Sequence, residues 1–101
     1  MAGNKDKPID VVDPFARKLV GKYLANRKDD VTKLARALAE ADFDTIRVTG
    51  HNLYGSGAAY GLDDISWIGA GIENAAKSAD TEQLERLIGE LREFLVRMHV
   101  Y

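Results

Sequence analysis

The sequence predicts an all-α fold, an antiparallel up-down helical bundle with short loops. Three observations carry that expectation. Apolar residues recur with the helical period, as in Leu84, Leu87, Ile88, Leu91, Leu95 and Met98. No segment shows convincing strand character. Glycine, proline and capping aspartates fall between the helical stretches, leaving short connections that favour antiparallel neighbours. With 101 residues there is room for one core and one domain. Residues 13–101 are assigned to that domain, and residues 1–12 to a flexible tail whose Ile9, Val11 and Val12 can drape onto it.

The first helix starts at Asp13-Pro14, with Asp13 as N-cap and the proline in the first turn, where its missing N–H costs nothing. Val20, Leu24, Val31, Leu34 and Leu38 keep one face through this region. The polar run Asn26-Arg27-Lys28-Asp29-Asp30 interrupts the stripe and offers two caps, so a break is expected there, with a second helix from about Asp30. Asp42 caps the next helix, Asp44 lies in its first turn, and Gly61 ends it. A fourth segment starts at Asp63 or Asp64 and places Leu62, Ile65, Ile68, Ile72, Ala76 and Ala79 on one face. Trp67 falls opposite, beside Asn74 and Gly71, and is expected to cover Ile9, Val11 and Val12, with a second contact surface as the alternative. Asp80 caps the last helix, with Gln83 as the reciprocal half of a capping box and Glu82–Arg86 as an i,i+4 pair.

The helix between Asp42 and Gly61 carries the most informative stretch, Thr49-Gly50-His51-Asn52-Leu53-Tyr54-Gly55-Ser56-Gly57. At about 100° per residue, Ile46, Thr49, Leu53, Ser56 and Tyr60 point away from His51. Arg47, Tyr54, Gly55 and Ala58 share its side, within about 60°. The helix thus has a core face and an accessible histidine opposite it. Gly50, Gly55 and Gly57 together give away roughly 2–3 kcal/mol of helix stability relative to alanine. Close backbone approach accounts for Gly50 and Gly57, which point nearer the bundle, whereas Gly55 leaves the flank of the histidine open.

Composition excludes several functions. Without cysteine there are no disulfides, thiolate metal sites or thiol nucleophiles. A net charge of −2 with no basic block lacks the footprint of a nucleic-acid binder. No apolar run approaches a membrane span, and the N-terminus has no secretory core, so a cytoplasmic protein is expected. The start at Met1 with a short tail leads us to expect a free-standing protein. A metal or haem bundle built from His51 with His99 or Met98 is disfavoured, because the histidines lack helical spacing and no Glu-x-x-His pair exists. His99 lies near the chain end and is assigned no role. No triad or carboxylate pair can be assembled around His51 for hydrolysis.

His51-Asn52-Leu53-Tyr54-Gly55-Ser56-Gly57, followed by Tyr60-Gly61-Leu62, resembles the signature of histidine-phosphotransfer (HPt) domains of bacterial phosphorelays, His-x-Leu-Lys-Gly-Ser/Ala and then Leu/Tyr-Gly. Ala39-Glu40-Ala41-Asp42-Phe43-Asp44 before it, Ile72-Glu73-Asn74-Ala75-Ala76 on the next helix and Asp80 opening a leucine-rich final helix fit the same pattern, over about residues 15–97. The resemblance implies an antiparallel four-helix bundle with an additional N-terminal helix, whose exposed histidine accepts and donates a phosphoryl group in two-component signal transduction. It makes His51 the phosphorylated residue, Leu53 the core anchor and Gly55 the small residue that admits a receiver domain. Tyr54 stands where the family's lysine is expected, replacing a cation by one phenolic donor. Arg47, one turn before His51, is the residue expected to supply part of that charge.

On this reading the protein is a phosphoryl carrier and not an enzyme. Its partners are a response-regulator receiver domain, a hybrid histidine kinase, or both, and no nucleic acid or membrane. Phosphoryl transfer needs an in-line nucleophile and cations around the moving group. The sequence shows no carboxylate cluster around His51 and no phosphate-cradling glycine loop, so Mg²⁺ and the catalytic acids are expected from the receiver, with no cofactor of the chain's own. Val48, Tyr54, Gly55, Ala58 and Ala59 form the expected docking patch on a monomer. The alternative is a degenerate module that binds a receiver or kinase without carrying phosphate, with Tyr54 as the mark of degeneration.

Overall fold

The computed structural model describes residues 14–98, and within them there are four helices and no strand. They are α1 (Pro14–Ala39), α2 (Phe43–Ala59), α3 (Asp63–Lys77) and α4 (Thr81–Arg97). Each packs on the next, and α4 closes back on α1. Leu34, Ile46, Leu53, Ile65, Ile72, Leu84 and Leu91 are the largest fully buried side chains, so all four helices contribute to one core. Leu53 is the core anchor of α2, as expected, and Ile46 and Thr49 are buried beside it. The tail, the Asp13 cap, His99 and the predicted cover for Trp67 lie outside the described residues.

The expected break at Asn26–Asp30 does not occur. Residues 14–39 form one continuous helix, so the described residues contain no additional N-terminal helix. The polar run is instead a solvated or half-buried face of α1. Arg27 Nε lies 3.0 Å from Asp30 Oδ2, one turn on, as a charge contact without hydrogen-bond alignment. The Arg27 guanidinium also sits 4.6 Å from the centre of the Tyr23 ring. Tyr23 in turn stacks on Tyr60 at 4.1 Å and shares a 2.7 Å hydrogen bond with Ser56, tying α1 to the C-terminal half of α2. Burial pushes the Asp30 carboxyl above its ordinary range, against the pull of Arg27 and Lys33.

Three connections share one geometry. Ala41, Gly61 and Ala79 adopt φ of 55°, 73° and 50°, each just past a helix end. The following N–H groups bond back to the last helical turn: Asp42 to the Ala37 carbonyl at 2.8 Å, Leu62 to Gly57 at 2.7 Å and Asp80 to Ala75 at 2.9 Å. These are Schellman closures, and the residue completing each one is also the N-cap of the next helix. Asp42 accepts from the Thr45 N–H (3.2 Å) and Thr45 hydroxyl (2.7 Å), and these bonds hold its carboxyl below the usual range.

Two smaller expectations on α4 are corrected. The Gln83 N–H donates to Asp80 at 3.1 Å, but the Gln83 side chain does not reciprocate, because the Asp80 N–H is already bonded to Ala75. Gln83 accepts from Arg86 instead, and Arg86 pairs forward with Glu90 and not back to Glu82. On α3, Trp67 is 60% exposed, and Gly71, one turn on, borders Leu87 of α4.

Candidate functional site

The site begins with an unusually close pair of helices. A Cβ placed on Gly50 would lie 2.7 Å from the Glu73 backbone nitrogen and 2.8 Å from the Gly69 carbonyl oxygen. One on Gly69 would lie 2.6 Å from the Tyr54 nitrogen, and one on Gly57 would lie 2.6 Å from that of Ser66. Any side chain at these three positions would collide with main chain, so α2 and α3 touch backbone to backbone. The Ser66 hydroxyl adds a 2.8 Å hydrogen bond to the Tyr54 carbonyl across the same seam.

This contact decides what stands beside His51. Gly50 presses against the main chain at Glu73, and the Glu73 side chain reaches the neighbouring imidazole. Both Glu73 carboxylate oxygens lie 3.3 Å from His51 Nδ1. The histidine side chain is 66% exposed, whereas that of Glu73 is 19% exposed. A carboxylate only accepts, so the proton of a neutral imidazole belongs on Nδ1, and the lone pair is left on Nε2. Among the described residues Nε2 has no hydrogen-bond partner. One turn beyond Glu73, Lys77 Nζ lies 3.9 Å from its Oε2. The arrangement is an outward nucleophilic nitrogen on a ring oriented from behind by a carboxylate, with an ammonium in reach.

Tyr54 is half exposed on the histidine side, and a Cβ on Gly55 would meet nothing within 4 Å, so the flank is open. Val48, Ala58 and Ala59 are exposed on the same helix. Arg47 is engaged elsewhere, since its guanidinium contacts Asp44 Oδ1 at 2.9 Å along its own helix. Glu73 and Lys77 were not expected at the site. They lie on another helix, and no spacing rule connects them to His51. The available signal was the glycine set Gly50, Gly57 and Gly69, which demands a close α2–α3 contact. The groove between α1 and α4, about 480 Å³ and lined by residues including Ala35, Leu38 and Ile88, carries no α2 residue. Among the described residues, no group of three or more His, Cys, Asp or Glu side chains is placed to hold a metal ion.

Comparison with curated proteins and with solved structures gives no match. Comparison with protein families gives one for the Hpt domain over residues 18–99, which takes in almost all of α1, the whole of α2 and α3, and α4. Members of that family act as phosphotransfer carriers rather than catalysts. The chain therefore belongs to the Hpt domain family, and with that membership comes a histidine-phosphotransfer role in phosphorelay signalling.

Proposed function

We propose that His51 is the phosphorylated residue, relaying a phosphoryl group between its Nε2 and aspartates of response-regulator receiver domains in a bacterial two-component pathway. A hybrid histidine kinase is the other partner class. The observation that carries this reading is the exposed imidazole, held through Nδ1 by Glu73 with Nε2 turned outward. In the forward step the Nε2 lone pair forms the N–P bond while the P–O bond to the aspartyl carboxylate breaks, and that electron pair leaves on the carboxylate. The Nδ1 proton stays on the ring, which gains positive charge as the nitrogen is phosphorylated. The Glu73 carboxylate faces that developing charge and stabilises it. The reverse step returns the group along the same path.

The chain contributes nucleophile, orientation and access, and the receiver contributes Mg²⁺ and the acidic residues that hold it. Tyr54, Gly55, Val48, Ala58 and Ala59 form the docking surface around the histidine, and Arg47 lies at its edge. The carrier acts as a monomer in the cytoplasm, without catalysis of its own. No helix among the described residues is long and apolar enough to cross a membrane.

The test is incubation with ³²P-labelled phospho-receivers. Label should appear on the wild type and not on His51→Gln. An unlabelled wild type, with other Hpt domains labelled by the same receivers, overturns the proposal. The second reading, binding without phosphorylation, is favoured by the uncharged Tyr54. Receiver affinity measured alongside labelling separates the two.

A further inference from the structure

A phosphoryl group on His51 brings close to two negative charges and three acceptor oxygens to a place already occupied by a carboxylate. Glu73 is useful to the ring, but it repels the group the ring carries, and the site needs a cation to offset both. Tyr54 brings no charge. Arg47 is paired with Asp44 on the far side of its own turn. Lys77 is in contact with the cluster, since its ammonium lies 3.9 Å from Glu73 Oε2, and that carboxylate lies 3.3 Å from the ring. Nζ is therefore no farther from Nδ1 than those two distances laid end to end.

The direction of the side chains agrees. Helical side chains lean toward the N-terminus of their helix. His51 therefore leans toward the Arg47 turn of α2. With Gly50 opposite Glu73 and Tyr54 opposite Gly69, the antiparallel α3 brings Lys77 alongside that same turn. At 57% exposed, the Lys77 side chain is free to pivot on its four-carbon stem.

We infer that Lys77 is the phosphoryl-binding cation of this site, moving from Glu73 to the phosphoryl oxygens when His51 is modified. This rests on the assignment of His51 as the phosphorylated residue. The charge normally sought on the histidine's own helix is thus supplied from α3. In the resting state Lys77 screens Glu73, and in the phosphorylated state it holds the phosphoryl dianion.

The inference is testable without a cognate partner. Phosphoramidate phosphorylates the imidazole directly, with ammonia as leaving group, and ³¹P NMR then follows titration of the phosphoryl group on the intact protein. A neighbouring ammonium favours the dianion, so the wild-type midpoint should lie below that of Lys77→Gln by about half a pH unit or more. Lys77→Arg should keep the low midpoint, Tyr54→Lys should restore it in the Lys77→Gln background, and Arg86→Gln on α4 should leave it in place. Equal midpoints for wild type and Lys77→Gln, both phosphorylated on His51, overturn the role of Lys77 and leave the histidine assignment standing. A midpoint that moves with Arg47→Gln and not with Lys77→Gln overturns it in favour of Arg47. Failure of phosphoramidate to modify His51 in any variant overturns both readings. Urea unfolding of each variant excludes a structural cause, since removing an exposed ammonium should change stability little.

Discussion

Replacing Gly50 by alanine tests how the site is built. The added methyl would sit 2.7 Å from the Glu73 nitrogen, against about 3.4 Å for an ordinary contact, so the helices must part by roughly 0.7 Å. The opposing atoms are main chain and cannot escape by changing rotamer. Overpacking costs about 1–3 kcal/mol in general, and main chain that cannot yield puts this site at about 2–3, while the better helix propensity of alanine returns about 1. The net loss should be about 1–2 kcal/mol, or a fall of roughly 4–15 °C in Tm for a domain of this size. The same displacement stretches the His51–Glu73 contact, which at 3.3 Å is already at the long end of hydrogen bonding. Urea unfolding reads the first effect, and ¹⁵N shifts of the imidazole read the second, as loss of the single Nδ1–H tautomer. Gly55→Ala is the contrast, because its methyl meets nothing and should stabilise the helix by up to about 1 kcal/mol. A Gly50→Ala protein as stable as wild type, with the tautomer preserved, would refute the claim that this backbone contact positions Glu73.

Further outcomes follow from the same structure. Thr49 is buried with a hydroxyl that has no hydrogen-bond partner, so the near-isosteric Thr49→Val should raise stability by about 1 kcal/mol in urea unfolding. Ala79→Gly should also stabilise, by about 0.5–1 kcal/mol, because it relieves a left-handed alanine at some cost in unfolded-chain entropy. Asp42 has a folded-state carboxyl pKa below its ordinary 3.8, so its stabilisation is complete above that value and is lost as pH falls through the folded pKa. Acid unfolding of Asp42→Asn, which retains a capping side chain, should therefore show a shallower loss of stability below about pH 4.

Helix ends were legible in the sequence because each is written in local chemistry. Asp42, Gly61 and Asp80 take the capping and terminating positions expected of them. The false break in α1 shows the limit of that chemistry. Asn26–Asp30 looks like a pair of caps, yet Arg27 and Asp30 pair across one helical turn, and the apolar stripe resumes in phase at Val31. A run of cap-forming residues ends a helix only if the backbone gains by leaving it, and here nothing offers that gain. His51 and the small residues around it were likewise legible, since exposure follows from rotation on one helix. Glu73 and Lys77 were not, because their positions depend on how closely two helices pack.

The three shared connections have a consequence for how this domain can vary. One residue closes each helix, and the next both completes the closure and caps the following helix. A single inserted residue at any of these junctions would separate the two tasks, and at Asp42 and Asp80 it would also part the capping side chain from the closure. Surface loops ordinarily absorb length changes, but here they behave as fixed-length couplings. Insertions and grafted segments should therefore be rejected at all three turns.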